Sequence, residues 1–302
     1  LTDMKVAFNS NCGNISSAVG PYAVIKNLVD VKDKQSKVRI FNVNTDKVIE
    51  AEVETENGQY NPDGDCMIPG VPGTGSRELV TFYGPEGAST GKLLPTGKPS
   101  EIIETSVGEI EISIVDAATT LVYINADVIG LNGTELHYDF PQKKLDLLEE
   151  IRCIAAERCG FCSREEATKK TPAVPKTTVV SVPKNYEDLD GGQYEKENMD
   201  MVIRMMSMQK PHQALAITGA VCTTVAAMIP ESLVYKIIEK GLVKNEAEEN
   251  HSKTKESILR LGHPGGIMDT ISGKTAGDEV FVKVERTARC IMDGYVFTKN
   301  DY

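Results

Sequence analysis

The sequence contains no apolar run near the roughly 18 residues that a bilayer-crossing helix needs. It also lacks a surplus of positive charge: 33 Lys and Arg stand against 44 Asp and Glu, a formal net charge of −11. Phosphate backbones are bound by basic faces, so neither nucleic acid nor a membrane is expected as a partner. A small anion is not excluded, because a local site can be positive on a negative protein. Cys153, Cys159 and Cys162 include one C-x-x-C. No second pair or histidine follows closely, so a structural zinc site is not expected. A G-x-S-x-G elbow is missing, which removes the common Ser-His-Asp hydrolase signature. The glycine-rich stretches 70–75 and 91–97 lack a Gly-Lys-Ser/Thr sequel and open no Rossmann helix. Nucleotide binding is therefore not expected.

What is present is ordinary for a globular chain: 302 residues, 40% hydrophobic and 25% charged. That length suggests two domains and buries about three quarters of the unfolded surface, so the core needs no staple. The opening Leu1-Thr2-Asp3-Met4 does not read as a secretory signal, so the seven cysteines are expected as reduced thiols in a cytoplasm. Residues 15–29 predict a helix of small residues, kinked or restarted at Pro21. Strands are predicted at 5–8, 37–43, 48–54, 109–115, 120–126, 177–182, 201–206 and 291–297. Residues 144–158 carry a helical apolar stripe, and 212–228 predict a second small-residue helix. Residues 61–77 and 84–99 read as ordered loops and 244–256 as a polar loop. Strand, polar turn, small-residue helix occurs at 5–29 and again at 201–228. This echo suggests two related α/β domains.

Ser10-Asn11-Cys12-Gly13-Asn14 is the sharpest local feature. A cysteine immediately before a helix sits among unpaired backbone N–H groups, which favour a thiolate and also bind anions. The plain alternative is an Asn14 cap beside a buried small residue. Lys210 and His212, ahead of the second small-residue helix, could contact an anion or move a proton. Thr218-Gly219 within that helix would let something approach closely. The glycine turn at 262–266 could offer a nest of N–H groups to a carboxylate, or be an ordinary turn with a surface histidine.

Together, SNCGNISSAVGPYA (10–23), GVPGTGS (70–76), TGKLLPTGKP (90–99), VDAATTLVYINADVIGLNGTE (115–135), ALAITGAVCTTVAAMIP (214–230) and LRLGHPGG (259–266) resemble the methylitaconate/methylaconitate isomerase (PrpF-like) family. The resemblance runs along the whole chain. It implies an α/β, diaminopimelate-epimerase-like fold, with two related domains. Each would wrap a β-barrel-like sheet around a central helix, with the active site in the cleft between them. Residues 1–99 plus 279–302 would form the first domain and 100–278 the second. It implies a homo-oligomeric, cofactor-independent isomerase that moves a C=C bond in a small unsaturated di- or tricarboxylate. Likeness favours 3-methylitaconate to 2,3-dimethylmaleate, with 2-methylaconitate and 4-oxalomesaconate as the alternatives. More distant readings are a two-thiol racemase using Cys12 and Cys222, or a non-catalytic carboxylate binder.

The family's cysteine falls on Cys12. Asn11, Gly13 and Asn14 would hold one end of the substrate, with Thr218, Gly219, His263, Gly265 and Gly266 facing it. The resemblance also implies a lysine in a Gly-Thr-Ser-Lys-Gly-like stretch ahead of the cysteine. No such stretch occurs before Cys12, so that lysine and the opening strands of the first domain are expected upstream of Leu1.

Overall fold

The computed structural model describes residues 12–242 and 256–297. The predicted strand at 5–8, Asn11 and nearly all of the predicted loop at 244–256 lie outside them. The chain opens with helix α1 (Gly13–Ile25), followed by strands β1 (Lys34–Asn42), β2 (Lys47–Glu56), β3 (Gln59–Tyr60) and β4 (Glu78–Tyr83). Next come β5 (Glu101–Thr105), β6 (Gly108–Ala117) and β7 (Thr119–Asn125), then helices α2 (Gln142–Arg158) and α3 (Arg164–Lys170). They lead into β8 (Lys176–Ser181), β9 (Tyr186–Glu187), β10 (Gln193–Tyr194), β11 (Met201–Ser207) and β12 (Lys210–Pro211). Helices α4 (Ile217–Ala227) and α5 (Leu233–Leu242) precede β13 (Ser257–His263), β14 (Gly266–Lys274) and β15 (Val280–Arg286). The predicted strands between 37 and 206 and the helix near 144–158 are present with shifted ends, whereas 291–297, also expected as a strand, forms none. Helices α3 and α5 were not anticipated.

One hydrogen-bonded path runs β1-β2-β4-β15-β14-β13-β11-β8-β7-β6-β5. Neighbours are antiparallel except β7 with β8 and β11 with β13. Those parallel pairs need crossovers, and the helices α2–α3 and α4–α5 provide them. The α/β class expected from the sequence is the one observed.

Helix α4 is apolar on every side, the pattern of a helix enclosed by other elements. All its residues from Ile217 to Ala226 are buried. It packs against Ile49, Val80 and Phe82, against Val115, Leu121 and Tyr123, and against Val282 and Val284. Strands from both ends of the path therefore curl around it. Its small residues have a steric cause: a Cβ on Gly219 would stand 2.7 Å from Met205 Sδ. The helix begins at Ile217 rather than near 212, because residues 212–216 form its approach. On the sheet's outer face α2 buries Leu147, Leu148, Ile151, Ile154 and Ala155 against β5–β8.

Helix α1 lies on β1 and β2, with Ala23 and Val24 against Val38, Ala51 and Val53. A Cβ on Gly20 would stand 2.8 Å from Ala51 Cβ and Val53 Cγ2, so only glycine allows this contact. The expected break at Pro21 does not occur, and α1 continues through it to Ile25. Burial of Pro21 and its neighbours against the sheet holds the turn where one backbone bond is lost.

Candidate active site

Two helix N-termini meet. Cys12 is the N-cap of α1, in extended backbone (φ −105°, ψ 100°), and its side chain makes no cap bond. Its carbonyl accepts from Ser16 N at 3.0 Å and from Ser16 Oγ at 3.1 Å. The first turn that follows is Gly13-Asn14-Ile15. Ala216, the N-cap of α4, likewise supplies no side-chain bond. The ends touch at Gly13, where an added Cβ would stand 2.5 Å from Ile217 Cβ. First-turn N–H groups have no partners within their own helix. Two uncapped termini in contact therefore present donors and two positive dipole ends to one place. Cys12 is exposed and free at this junction.

Lys176 lies within electrostatic reach of Cys12 and His212, and His212 within reach of His263. Lys176, at the start of β8, donates to Ala173 O at 2.9 Å. Burial lowers its pKa, while negative charge on Cys222 and Cys12 would raise it again. Lys176 shares the inward face of β8 with Val180, which packs in the α4 core. His212 Nδ1 accepts from Ala214 N at 3.0 Å, and burial lowers the His212 pKa. The nearby charge on Lys176 lowers it further. His263 closes β13 and is 1% exposed. Its Nδ1 accepts from Gly265 N at 3.1 Å. Burial, then Arg204, Arg286 and His212, push its pKa down to about 3, so it is neutral at physiological pH. Gly266 has φ +129°, and its carbonyl accepts from Tyr186 Oη at 2.5 Å.

The structure thus brings Cys12, Gly13 and Thr218 together at the helix junction, with His263, Gly265 and Gly266 on the strand ends beyond His212. Asn14 is exposed on α1 and Thr218 is buried in the first turn of α4. The close approach that Gly219 permits is that of Met205. Lys210 is exposed on β12, paired with Ser207. His263 is buried rather than on the surface, contrary to the plain reading of its turn, and residues 69 and 70 lie against the turn that follows it. A Cβ on Gly70 would lie 3.6 Å from the Gly265 backbone, and one on Gly266 would lie 2.8 Å from Pro69 Cβ. Cys222 is fully buried and donates to Val115 O at 3.4 Å. Burial lifts its thiol to about 12, so it is a core residue and a poor partner for Cys12 in a two-thiol reaction.

Sequence reasoning did not single out Lys176 or Arg286. Each is one basic residue at the end of a strand, a position that is usually solvated. Only the curl of the sheet turns these ends inward. Among the described residues, no group of three or more His, Cys, Asp and Glu is arranged to hold a metal ion, and no helix is long and apolar enough to cross a membrane.

Comparison with known proteins gives the family of the chain. The family described as "PrpF protein" matches residues 1–299. YraM of Bacillus subtilis (strain 168), an isomerase by its name alone, is 49% identical over 302 residues, covering 100% of this chain and 77% of that protein. The 3-methylitaconate isomerase of Eubacterium barkeri is 38% identical over 304 residues, covering 99% and 77% of the two chains. A crystal structure of methylitaconate-delta-isomerase superposes with a TM-score of 0.79 at 35% identity, covering 98% of this chain and 74% of that one. The chain belongs to the PrpF family and is an isomerase. Its fold is the diaminopimelate-epimerase-like one that the sequence motifs suggested.

Proposed function

We propose that this isomerase moves a carbon–carbon double bond in a small unsaturated di- or tricarboxylate, with 3-methylitaconate to 2,3-dimethylmaleate as the favoured reaction. The observation that carries this reading is the exposed Cys12 at the junction of two uncapped helix N-termini. One base removes the proton on the carbon between the methyl and carboxylate groups. The electron pair moves into the conjugated system and gives a dienolate. An acid returns a proton to the terminal methylene carbon, and the double bond ends between the two substituted carbons. Proton transfer of this kind needs only acid and base groups, so the reaction is cofactor-independent.

Cys12 is one of these groups. The second is the lysine that the resemblance implies ahead of Cys12. Lys176 supplies a cation beside Cys12 and the dienolate, and the uncapped N–H groups take up charge that develops on the substrate oxygens. Gly13, Asn14 and Asn11 hold the end nearest Cys12, while Thr218, Gly219, His263, Gly265 and Gly266 form the far wall. The two domains are proposed as 1–99 plus 279–302 and 100–278.

The test uses the full-length protein with 3-methylitaconate, 2-methylaconitate and 4-oxalomesaconate, following double-bond position and solvent deuterium uptake. Turnover of the first acid, with loss of both signals by 10³-fold or more in Cys12→Ser, is expected. Equal turnover and exchange in that variant would remove Cys12 from the chemistry. Preference for a tricarboxylate would move the assignment to the second or third acid.

A further inference from the structure

Arg286, the last residue of β15, is a buried cation without an anion. It is 8% exposed, and its guanidinium donates to Glu285 O at 2.7 Å and to Met268 Sδ at 3.5 Å. No carboxylate pairs with it among the described residues. Burial lowers its pKa to about 10, which still leaves it charged at physiological pH. Burying an unpaired charge is costly, so such groups are normally found with a counter-ion. The other buried arginine nearby contrasts with it. Arg204 donates to Thr134 O, Glu135 O, Ile203 O and Gly262 O, and lies over the Tyr186 ring.

Glu78 is the obvious partner for Arg286 by register, since the two are paired across β4 and β15. Its carboxyl instead lies beside the Tyr60 hydroxyl, 3.4 Å from Oε1, and its Oε2 has no partner. Burial lifts Glu78 to about 8, so it is mostly neutral at physiological pH.

A second group beside Arg286 also lacks a partner. Because Nδ1 of neutral His263 accepts from Gly265 N, its proton sits on Nε2. That Nε2 is buried and without a hydrogen-bond partner. Met268, which accepts from Arg286, pairs with Leu261 two residues before His263. The residues 282, 284 and 286 alternate on the inner face of β15, and Val282 and Val284 pack in the α4 core. Arg286 thus continues that face toward the end of the sheet where His263 lies.

We propose that Arg286 and His263 together form an anion position that takes one carboxylate of the substrate. This deepens the proposed function and rests on it for the identity of the substrate. Arg286 supplies the charge and the His263 Nε2–H a neutral donor. Both side chains are buried, and shielding from water strengthens the interaction. A substrate with a second carboxylate would therefore be separated from a monocarboxylate by this pair.

The experiment measures calorimetric binding of 2,3-dimethylmaleate and of the monocarboxylate tiglate to full-length wild type, Arg286→Gln, Arg286→Lys and Glu78→Gln, with thermal melts for each. The expected result is at least tenfold weaker diacid binding in Arg286→Gln and partial recovery in Arg286→Lys. Tiglate binding should change little, and Glu78→Gln should keep diacid affinity. In turnover, Arg286→Gln should raise KM more than it lowers kcat. Diacid binding unchanged in a folded Arg286→Gln overturns the proposal. So does a loss of diacid binding in Glu78→Gln equal to that in Arg286→Gln, which would make the two an ion pair. A wild type that turns over none of the acids yet binds the diacid through Arg286 would sink the proposed reaction and leave this anion position standing.

Discussion

Lys176 shows what one residue does in this fold. A lysine in water prefers its ammonium form; inside the sheet its pKa falls because the charge loses solvent. In the proposed reaction that charge serves Cys12 and the dienolate, which offsets its cost in stability. Lys176→Met is expected to cut turnover about 10- to 100-fold, by loss of electrostatic stabilisation. The melting temperature should be kept or raised, since an apolar side chain of similar length removes the desolvation cost. The sign of the pH effect follows from the direction of the shift. The unfolded chain holds the Lys176 proton more tightly than the folded one, so this group's penalty shrinks as pH rises toward 10.5. The variant's advantage in melts should therefore narrow on the alkaline side. A variant with full turnover would show that Lys176 only fills space.

At the scale of elements, the decisive contact is between α1 and α4. Glycine at position 13 lets the two helix ends touch, because a Cβ there would stand 2.5 Å from Ile217 Cβ. Gly13→Ala must push one terminus away. The expected cost is about 1–3 kcal/mol in denaturant unfolding, the usual range for overpacking, together with a fall in kcat as the two sets of N–H donors separate. Ile217→Ala alone should cost about 2–4 kcal/mol for the cavity it leaves. Combined with Gly13→Ala, it should restore part of both losses, a coupling that distant sites do not show. Simple additivity in the double variant would mean that the helix ends do not depend on this contact. The position of glycine in SNCGN was legible in the sequence. Its cause was not: Gly13 is helical and spares room for another helix, a contact with Ile217 far along the chain.

At the scale of the whole molecule, the sheet is one path that curls around α4, and Glu78 is buried within the fold. This carboxyl is fully buried and pushed up to about 8 by loss of solvent. The folded state therefore holds a proton that the unfolded chain releases near pH 4.5. The proton uptake stabilises the fold at acid pH, and this benefit is lost progressively between pH 4.5 and about 8. Glu78→Gln keeps the shape and removes the titration. It should melt at about the wild-type temperature near pH 5 and above it near pH 9, by an amount on the order of a few kcal/mol. Matching pH profiles for the two proteins would show that Glu78 ionises freely in the fold.

The sequence by itself determined the α/β class, most strands after residue 30, the two small-residue helices and the position of Cys12 before the first of them. These follow from local periodicity, small-residue runs and turn chemistry, which act over a few residues. The ordered motifs pointed to the family before any fold was known. Tertiary structure alone decided that Lys176 and Arg286 are drawn inward and that His263 is buried. Their positions along the chain are far apart, and each looks like an ordinary polar residue at a strand or turn. Pairing β4 with β15 and β11 with β13 curls the sheet so that these strand ends face inward. A chain of net charge −11 thereby draws two cations, Lys176 and Arg286, inward from strand ends that no local pattern connects.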